Sequence, residues 1–216
     1  MKETKTTTIY NQLKDAIQKG KYFPNEKLIE TDLAEKYKTS RNTIRSVLSL
    51  LEKENLVTIE PHKGAKVTAL VLNDIINILD LRAEIEGYIF KKVTPNLSKK
   101  DLNEMNNIYT KMRENLEEDS YQAHPQLNTA FHEVIYRKCD NTLAVDTVRD
   151  LKNRLSSYNF KTILIPGRTE ETLQEHKAIL DAVTKHDGEL ASKKVKEHIY
   201  SVRDTISNYS RLLINT

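Results

Sequence analysis

The chain has 216 residues, of which 30% are charged, with five glycines, five prolines and no tryptophan. This composition suits one large or two small domains of a water-soluble, mainly helical protein. No apolar run approaches the roughly eighteen residues of a membrane span, and the polar start Met-Lys-Glu-Thr-Lys has no apolar signal core. The single cysteine, Cys139, excludes an internal disulfide framework. We therefore expect a cytoplasmic protein.

Residues 28 to 68 predict a helix, a tight turn, a second helix and a two-stranded wing. Two apolar stripes would face one small core, namely Leu28, Leu33 and Tyr37 in the first helix and Ile44, Val47, Leu48 and Leu51 in the second. Ser40 is a suitable N-cap, so the second helix should begin at Arg41. Arg41 and Arg45 lie four residues apart on its outer face, where a recognition helix contacts base edges and phosphates.

The segment after the second helix predicts a β-hairpin. Asn55 is suited to a left-handed stop after Glu54. Residues 57 to 60 and 65 to 68 alternate like strands around the loop Pro61, His62, Lys63 and Gly64. His62 and Lys63 at the tip are placed to reach a phosphate or the minor groove, as a wing does beside a recognition helix.

The basic excess of the chain is local. Residues 1 to 69 contain 13 Lys and Arg against 9 Asp and Glu, whereas the remaining residues contain 21 against 22. Surface cations such as Arg41, Arg45 and Lys63 are most often only solvated charges, and a modest basic excess alone does not establish nucleic-acid binding. Together with the helix pattern and the wing, however, the local excess favours DNA contact.

One sequence motif extends over much of this first third and consists of Leu33-Ala34, Ser40-Arg41, Arg45, Leu48, Leu51, Leu56-Val57, Gly64 and Val67. It resembles the DNA-binding domain of the GntR family of bacterial transcription regulators. The resemblance implies DNA contacts, and the predicted set is Ser40, Arg41, Asn42, Thr43, Arg45, His62, Lys63 and Gly64. Lys38 stands where a turn glycine is usual, and Thr31 where some relatives have a DNA-contacting arginine. The amide of Asn42 could pair with adenine.

From Asn73 onward the chain reads as successive amphipathic helices with short connections. Their predicted spans are 73–93, 98–117, 121–139, 142–162, 169–186 and 188–213. Long helices with short loops indicate an antiparallel bundle. We therefore predict a mainly α fold, in which a winged helix-turn-helix domain with a small β wing (1–69) is joined by a linker (70–74) to a helical effector-binding and dimerisation domain (75–216).

Three of the six histidines lie on the apolar stripes of separate predicted helices: His132, His176 and His198. A single inward histidine is most often a hydrogen-bonded core residue, and that alternative stays open for each. Three together would need many polar partners, whereas a divalent metal would take one nitrogen from each and offset their burial. Asn128, one turn before His132, could add its amide oxygen. The other three histidines are expected in loops or at helix ends.

Asn128, His132, His176 within the segment Glu175-His176-Lys177-Ala178-Ile179-Leu180, and His198 resemble the metal-binding pattern of the FCD domain, the ligand-binding domain of the FadR subfamily of GntR regulators. The resemblance implies a divalent metal, either zinc, nickel or manganese, held by these four residues. That family usually has an aspartate in place of Asn128, so the neutral amide should hold the metal less tightly. The resemblance to the FCD domain also implies that Arg82 binds an acidic effector, with an intrahelical ion pair to Glu86 as the alternative.

These observations predict a ligand-responsive DNA-binding regulator that binds a palindromic operator as a homodimer and senses a small organic acid or anion. The family resemblance favours a repressor that the ligand relieves, with activation as the alternative. In one alternative the metal itself is the signal, and in another the protein organises DNA without sequence preference. A more distant alternative is a helical metalloenzyme with three histidine ligands. Because the sequence contains no HExxH motif, phosphate loop or nucleophile elbow, we predict that the protein is not an enzyme.

Overall fold

The computed structural model describes residues 4–61, 63–117, 123–155, 158, 162 and 165–214. The chain divides into two compact units. Unit 1 comprises Met1–Val71 and Lys152–Phe160, and unit 2 comprises Leu72–Leu151 and Lys161–Thr216. The assignment of residues 152–160 to unit 1 was not anticipated from the sequence. In the described part of the chain, no helix combines the length and apolarity needed to cross a bilayer.

Unit 1 is a winged helix-turn-helix domain. Its described elements are α1 (Lys5–Gln18), β1 (Lys27–Leu28), α2 (Glu30–Lys36), α3 (Arg41–Lys53), β2 (Val57–Glu60) and β3 (Gly64–Val67). The three strands form an antiparallel sheet in the order β1-β3-β2. Strands β2 and β3 are the predicted wing, and Glu60 pairs with Gly64 at its tip.

Helix α1 supplies part of the core of unit 1 and was not predicted. Its buried residues Ile9, Leu13 and Ile17 recur every four positions and pack with the buried stripe of α3. Thr4 caps the helix by accepting a hydrogen bond from the Thr7 amide at 3.2 Å. The surrounding residues are mostly polar, so only the four-residue spacing and the threonine cap signal this helix in the sequence.

The prediction that Leu28 belongs to the first helix of the motif is wrong. Leu28 lies in β1 opposite Ala65 of β3, and α2 begins only at Glu30. The side chain is nevertheless buried in the expected core. Apolar spacing cannot distinguish these two arrangements, because a short strand and the first turn of a helix can direct the same side chain into the same core.

Two local predictions in unit 1, the cap at Ser40 and the stop at Asn55, are confirmed. Ser40 caps α3 by accepting a hydrogen bond from the Thr43 amide at 3.2 Å. Asn55 has a φ of 58°, so it ends the helix in the left-handed region. Lys38, which replaces a turn glycine, has a φ of 48°, a conformation that costs a residue with a Cβ atom about 1 kcal/mol.

Unit 2 is helical. Its described elements are α4 (Leu72–Val93), a 3-10 turn (Thr94–Asn96), α5 (Lys99–Glu117), α6 (His124–Tyr136), α7 (Thr142–Arg154), α8 (Arg168–Thr184), α9 (Gly188–Asn208) and α10 (Ser210–Leu213). The last three residues of α7, 152–154, are assigned to unit 1. Helix α9 packs along α4 and against α8, and α5 packs against α6 and α8. Gly188 permits the α4 and α9 contact, because a Cβ atom there would lie 2.4 Å from the carbonyl oxygen of Lys91.

The predicted helix ends were wrong in three places. Helix α6 ends at Tyr136 rather than residue 139, and α7 ends at Arg154 rather than residue 162. The predicted last helix is divided at Tyr209 into α9 and α10. The predicted start of α6 at residue 121 lies outside the described residues. Terminal residues are poorly determined by apolar spacing, because the stripe continues into turns that also pack on the core.

Candidate DNA-binding surface and candidate metal centre

Helix α3 has one buried face and one charged face. Ile44, Val47, Leu48 and Leu51 are buried, whereas the side chains of Arg41 and Arg45 are 57% and 58% exposed. Because Arg41, Asn42 and Arg45 occupy positions i, i+1 and i+4, they share the exposed face of the first turns. The structure therefore presents two cations and an amide at the N-terminal end of a helix that follows a tight turn.

Glu30, the first residue of α2, contacts both arginines. The Arg45 Nε atom lies 2.9 and 3.0 Å from the two Glu30 carboxylate oxygens, and Arg41 Nη2 lies 3.2 Å from one of them. Hydrogen bonds from Arg45, and then from Arg41, lower the pKa of this carboxyl group. The sequence analysis did not identify Glu30, because its proximity to α3 depends on how the turn folds back.

The remaining predicted contact residues lie near these arginines or on the wing. Ser40 and Thr43 form the cap of α3, with their hydroxyl oxygens 3.0 Å apart. Lys63 is 78% exposed and lies 3.6 Å from Glu60. Gly64 begins β3 with a φ of +91°, a conformation that side chains with a Cβ atom rarely adopt. His62 lies outside the described residues.

Three histidines from three helices meet in the interior of unit 2. His132 of α6, His176 of α8 and His198 of α9 are 0%, 0% and 2% exposed. Each offers a ring nitrogen, and these three atoms lie within 4.8 Å of one another. The ring centroids are 5.5, 5.6 and 4.7 Å apart. The apolar stripes on which the sequence placed these residues thus converge at one point.

Each imidazole is held through its Nδ1 atom by an oxygen acceptor. His132 Nδ1 lies 3.0 Å from Glu86 Oε2, His198 Nδ1 lies 2.7 Å from Glu175 Oε2, and His176 Nδ1 lies 2.7 Å from the carbonyl oxygen of Thr172. Carboxylate and carbonyl oxygens accept hydrogen bonds, so Nδ1 carries a proton in all three rings. The Nε2 atoms then carry the lone pairs that a metal would use.

Burial favours the neutral form of His176 and His198. Burial lowers the pKa of His176 well below its ordinary value, and the neighbouring His198 and His132 lower it further. Burial also lowers the pKa of His198, although its hydrogen bond to Glu175 opposes the shift. Neutral imidazole is the form that ligates metals, so burial maintains the ligating state.

Asn128 approaches the same cluster. Its Oδ1 atom lies 2.9 Å from His176 Nε2. Because Nε2 of this ring is an acceptor, an oxygen so close is favourable only in two cases. Either the amide presents its NH₂ group instead, or both atoms coordinate one cation. The donor set of three imidazoles and one amide oxygen therefore fits a divalent metal, and the chemistry of Asn128 and His176 is consistent with one.

Two buried arginines complete the surroundings of the cluster. Arg82 forms the intrahelical ion pair with Glu86 that the sequence offered as an alternative, and both side chains are buried. Arg168, at the start of α8, binds Glu175 through two hydrogen bonds of 3.0 Å. Each glutamate therefore links an arginine to a histidine. The sequence missed Glu86 and Glu175 as histidine partners, although one lies four residues after Arg82 and the other precedes His176.

His124 was expected in a loop or at a helix end, and it lies at a helix end. It is the first residue of α6 and is largely buried. Burial lowers its pKa to about 4, with smaller effects from the charges of Arg168 and His198. Pro125 occupies the second position of the helix, where its missing amide costs nothing, so the His-Pro pair is a helix start rather than a loop.

Comparison with known proteins identifies both units. The model of the bacterial regulatory proteins of the gntR family matches residues 5–67, and the model of the FCD domain matches residues 77–201. The HTH-type transcriptional regulator YdhC of Bacillus subtilis is 31% identical over 204 residues, which cover 88% of this chain and 85% of that protein. The chain belongs to the GntR family.

Further relatives of this GntR regulator agree with the assignment. The HTH-type transcriptional repressor RspR of Escherichia coli is 21% identical over 92% of this chain and 87% of its own. The solved structure of E. coli McbR/YncC has the same fold, with a TM-score of 0.81 at 20% identity, covering 96% of this chain and 99% of that one. The family and its members are transcription regulators rather than enzymes, which confirms the predicted class and the predicted fold.

Proposed function

We propose that this GntR regulator binds a palindromic DNA operator as a homodimer, and that a small anionic effector bound at a metal in unit 2 changes its affinity for DNA. The observation that carries this proposal is the convergence of three buried imidazoles, each held through Nδ1 so that Nε2 is left for a metal. A buried imidazole needs an acceptor for its N–H group in any role, but here all three acceptors lie at Nδ1, which leaves the same nitrogen, Nε2, of each ring as the metal-binding atom.

The proposed metal ligands are His132, His176, His198 and Asn128. All four are neutral donors, so they would leave the full charge of a divalent ion in the site. The nearby glutamates do not cancel that charge, because Arg82 and Arg168 balance Glu86 and Glu175. When bound, the metal would supply a Lewis-acidic, positively charged centre, and the site would favour a small organic acid or another anion.

Arg82 remains the proposed effector-binding residue. Its guanidinium already binds Glu86, and the second oxygen of Glu86 accepts the hydrogen bond from His132. An effector carboxylate at Arg82 would therefore compete with Glu86, and this competition would alter how His132 is held. A change of this kind gives the effector a differential affinity for two arrangements of unit 2, which is what regulation by a ligand requires.

For DNA, we propose the contact set Ser40, Arg41, Asn42, Thr43, Arg45, His62, Lys63 and Gly64. The exposed end of α3 would enter the major groove, and the wing would reach the adjacent phosphates. A single winged domain reads too few bases for a specific site, so two copies on a palindrome are required.

A surface of unit 2 suits association of two copies. Leu143 of α7 is 77% exposed, and it borders a groove lined by Ile85, Tyr88 and Ala144. Tyr88 is itself 44% exposed, and Leu81, two helical turns earlier on α4, is 50% exposed. Exposed apolar groups concentrated on two neighbouring helices are typical of a protein interface. We therefore propose that the groove between α4 and α7 contributes to the homodimer.

Metal titration tests the proposed centre. The protein would be stripped with a chelator, and its melting temperature would be followed as zinc, nickel or manganese is added. The wild type should be stabilised by at least one of these ions, as mass action requires of a ligand that binds the folded state, and His176→Ala should lose this response. If no ion stabilises the wild type or copurifies with it, the proposed metal centre is wrong.

The same preparation separates an acid effector from metal sensing. Operator affinity would be measured for the metal-free protein, for the metal-loaded protein, and for the metal-loaded protein with a panel of small carboxylates. An effector should change affinity only in the third case. A full response to metal alone would favour the alternative in which the metal is the signal.

A further inference from the structure

Glu30 is an acidic residue within a surface proposed to face DNA. Its carboxylate, 24% exposed, is bound by Arg45 Nε at 2.9 and 3.0 Å and by Arg41 Nη2 at 3.2 Å. A negative charge here repels the phosphates and weakens sequence-independent attraction. Its placement between the two exposed arginines therefore calls for a function other than general affinity.

These hydrogen bonds leave the two terminal Nη groups of Arg45 available to contact a base. A guanidinium carries five N–H donors, and Glu30 uses the single Nε–H of Arg45. Bidentate recognition of guanine uses the two terminal Nη groups, which lie at the opposite end of the guanidinium from Nε. Glu30 also takes one Nη2 hydrogen of Arg41, so both long side chains are fixed by one acceptor.

We propose that Glu30 is a positioning residue that holds Arg41 and Arg45 for base recognition and so determines sequence specificity. Without it, both arginines are free to turn towards phosphates, which every sequence offers. Loss of Glu30 should therefore reduce discrimination between sequences while leaving sequence-independent affinity unchanged or stronger. This inference rests on the proposed contact set, because it assumes that Arg45 reads a base.

A purely structural role predicts a different outcome. Glu30 begins α2, where an acidic side chain is favourable at the helix N-terminus, and it ties α2 to α3. If that were its only role, its removal would lower the melting temperature and weaken binding to all duplexes alike. The ratio of affinities for specific and nonspecific duplexes separates the two roles.

The experiment uses the full chain and an operator duplex selected from random oligonucleotides. Affinities of the wild type, Glu30→Ala, Glu30→Gln and Arg45→Ala would be measured for the operator, for single guanine-to-adenine variants and for a random duplex, at several salt concentrations. The matched control is Glu35→Ala, which removes an exposed acid from the same helix. Melting temperatures would be recorded for each protein.

Glu30→Ala should lower the ratio of operator to random affinity by about tenfold. Glu30→Gln, which keeps one acceptor oxygen, should give an intermediate loss, and Glu35→Ala should leave the ratio unchanged. A wild-type ratio for Glu30→Ala, or an equal loss on all duplexes, overturns the inference. If Arg45→Ala also binds like the wild type, the proposed contact set fails; if Arg45→Ala alone loses discrimination, only the role of Glu30 fails.

Discussion

At the scale of single residues, the interior of unit 2 contains two parallel arrangements of arginine, glutamate and histidine. Arg82 binds Glu86, which binds His132, and Arg168 binds Glu175, which binds His198. Burial raises the pKa of Glu175, but hydrogen bonds from His198, and then from Arg168, hold it at about 2. Glu175 is therefore an ionised acceptor, and both glutamates fix the orientation and tautomer of a proposed metal ligand.

Substitution of Glu175 by glutamine tests this arrangement. The amide keeps the shape of the side chain but removes the charge behind His198, so metal affinity should fall about 10- to 100-fold. Affinity for zinc or nickel would be measured by competition with a chromophoric chelator, at a temperature well below the melting transition. Glu170→Gln, which changes an exposed acid of the same helix, is the control. Equal affinities for wild type and Glu175→Gln would show that Glu175 does not support the site.

At the scale of elements, periodicity predicted the long helices better than the short ones. Helices α4 and α5 lie within one residue of their predicted bounds because their apolar stripes are long and continuous. Helix α1 was missed because Ile9, Leu13 and Ile17 stand among polar residues, and β1 was missed because two residues carry no period. The stripes also fixed which side of α6, α8 and α9 faces inward, and this sufficed to name His132, His176 and His198.

Partners from different helices could not be predicted in the same way. Glu86 meets His132 across 46 residues, and Glu175 meets His198 across 23. Such pairs depend on the axial offset between packed helices, which a single sequence does not specify. Glu30 and Arg45 are only 15 residues apart in sequence, but their contact also depends on a feature that periodicity does not predict, the left-handed turn at Lys38.

The α4 and α7 surface yields a prediction about assembly. Leu143→Glu should convert the proposed dimer to monomers, because the new charge would be buried without a partner at the interface. The fold should be retained, since this side chain is 77% exposed in the single chain. Leu212→Glu is a matched control, because Leu212 is 62% exposed on α10. Sedimentation equilibrium would measure the mass. A Leu143→Glu protein that stays dimeric places the interface elsewhere.

At the scale of the whole molecule, the proposed mechanism links effector binding in unit 2 thermodynamically to DNA binding by unit 1. If an effector changes DNA affinity by some factor, DNA must change effector affinity by the same factor. The sign of regulation follows from which arrangement of unit 2 the effector prefers. For a repressor that the effector relieves, the preferred arrangement is the one with the lower affinity for the operator.

Selection of duplexes from a random oligonucleotide pool by the purified chain tests the central claim most directly. The selection would be run with metal-free protein and with metal-loaded protein, with and without the carboxylate panel. We predict an enriched palindrome whose half-sites lie about one helical turn, roughly 10 base pairs, apart. The enriched guanines should disappear when Arg45→Ala replaces the wild type. If no motif is enriched under any of these conditions, the proposal that α3 reads the DNA sequence is contradicted.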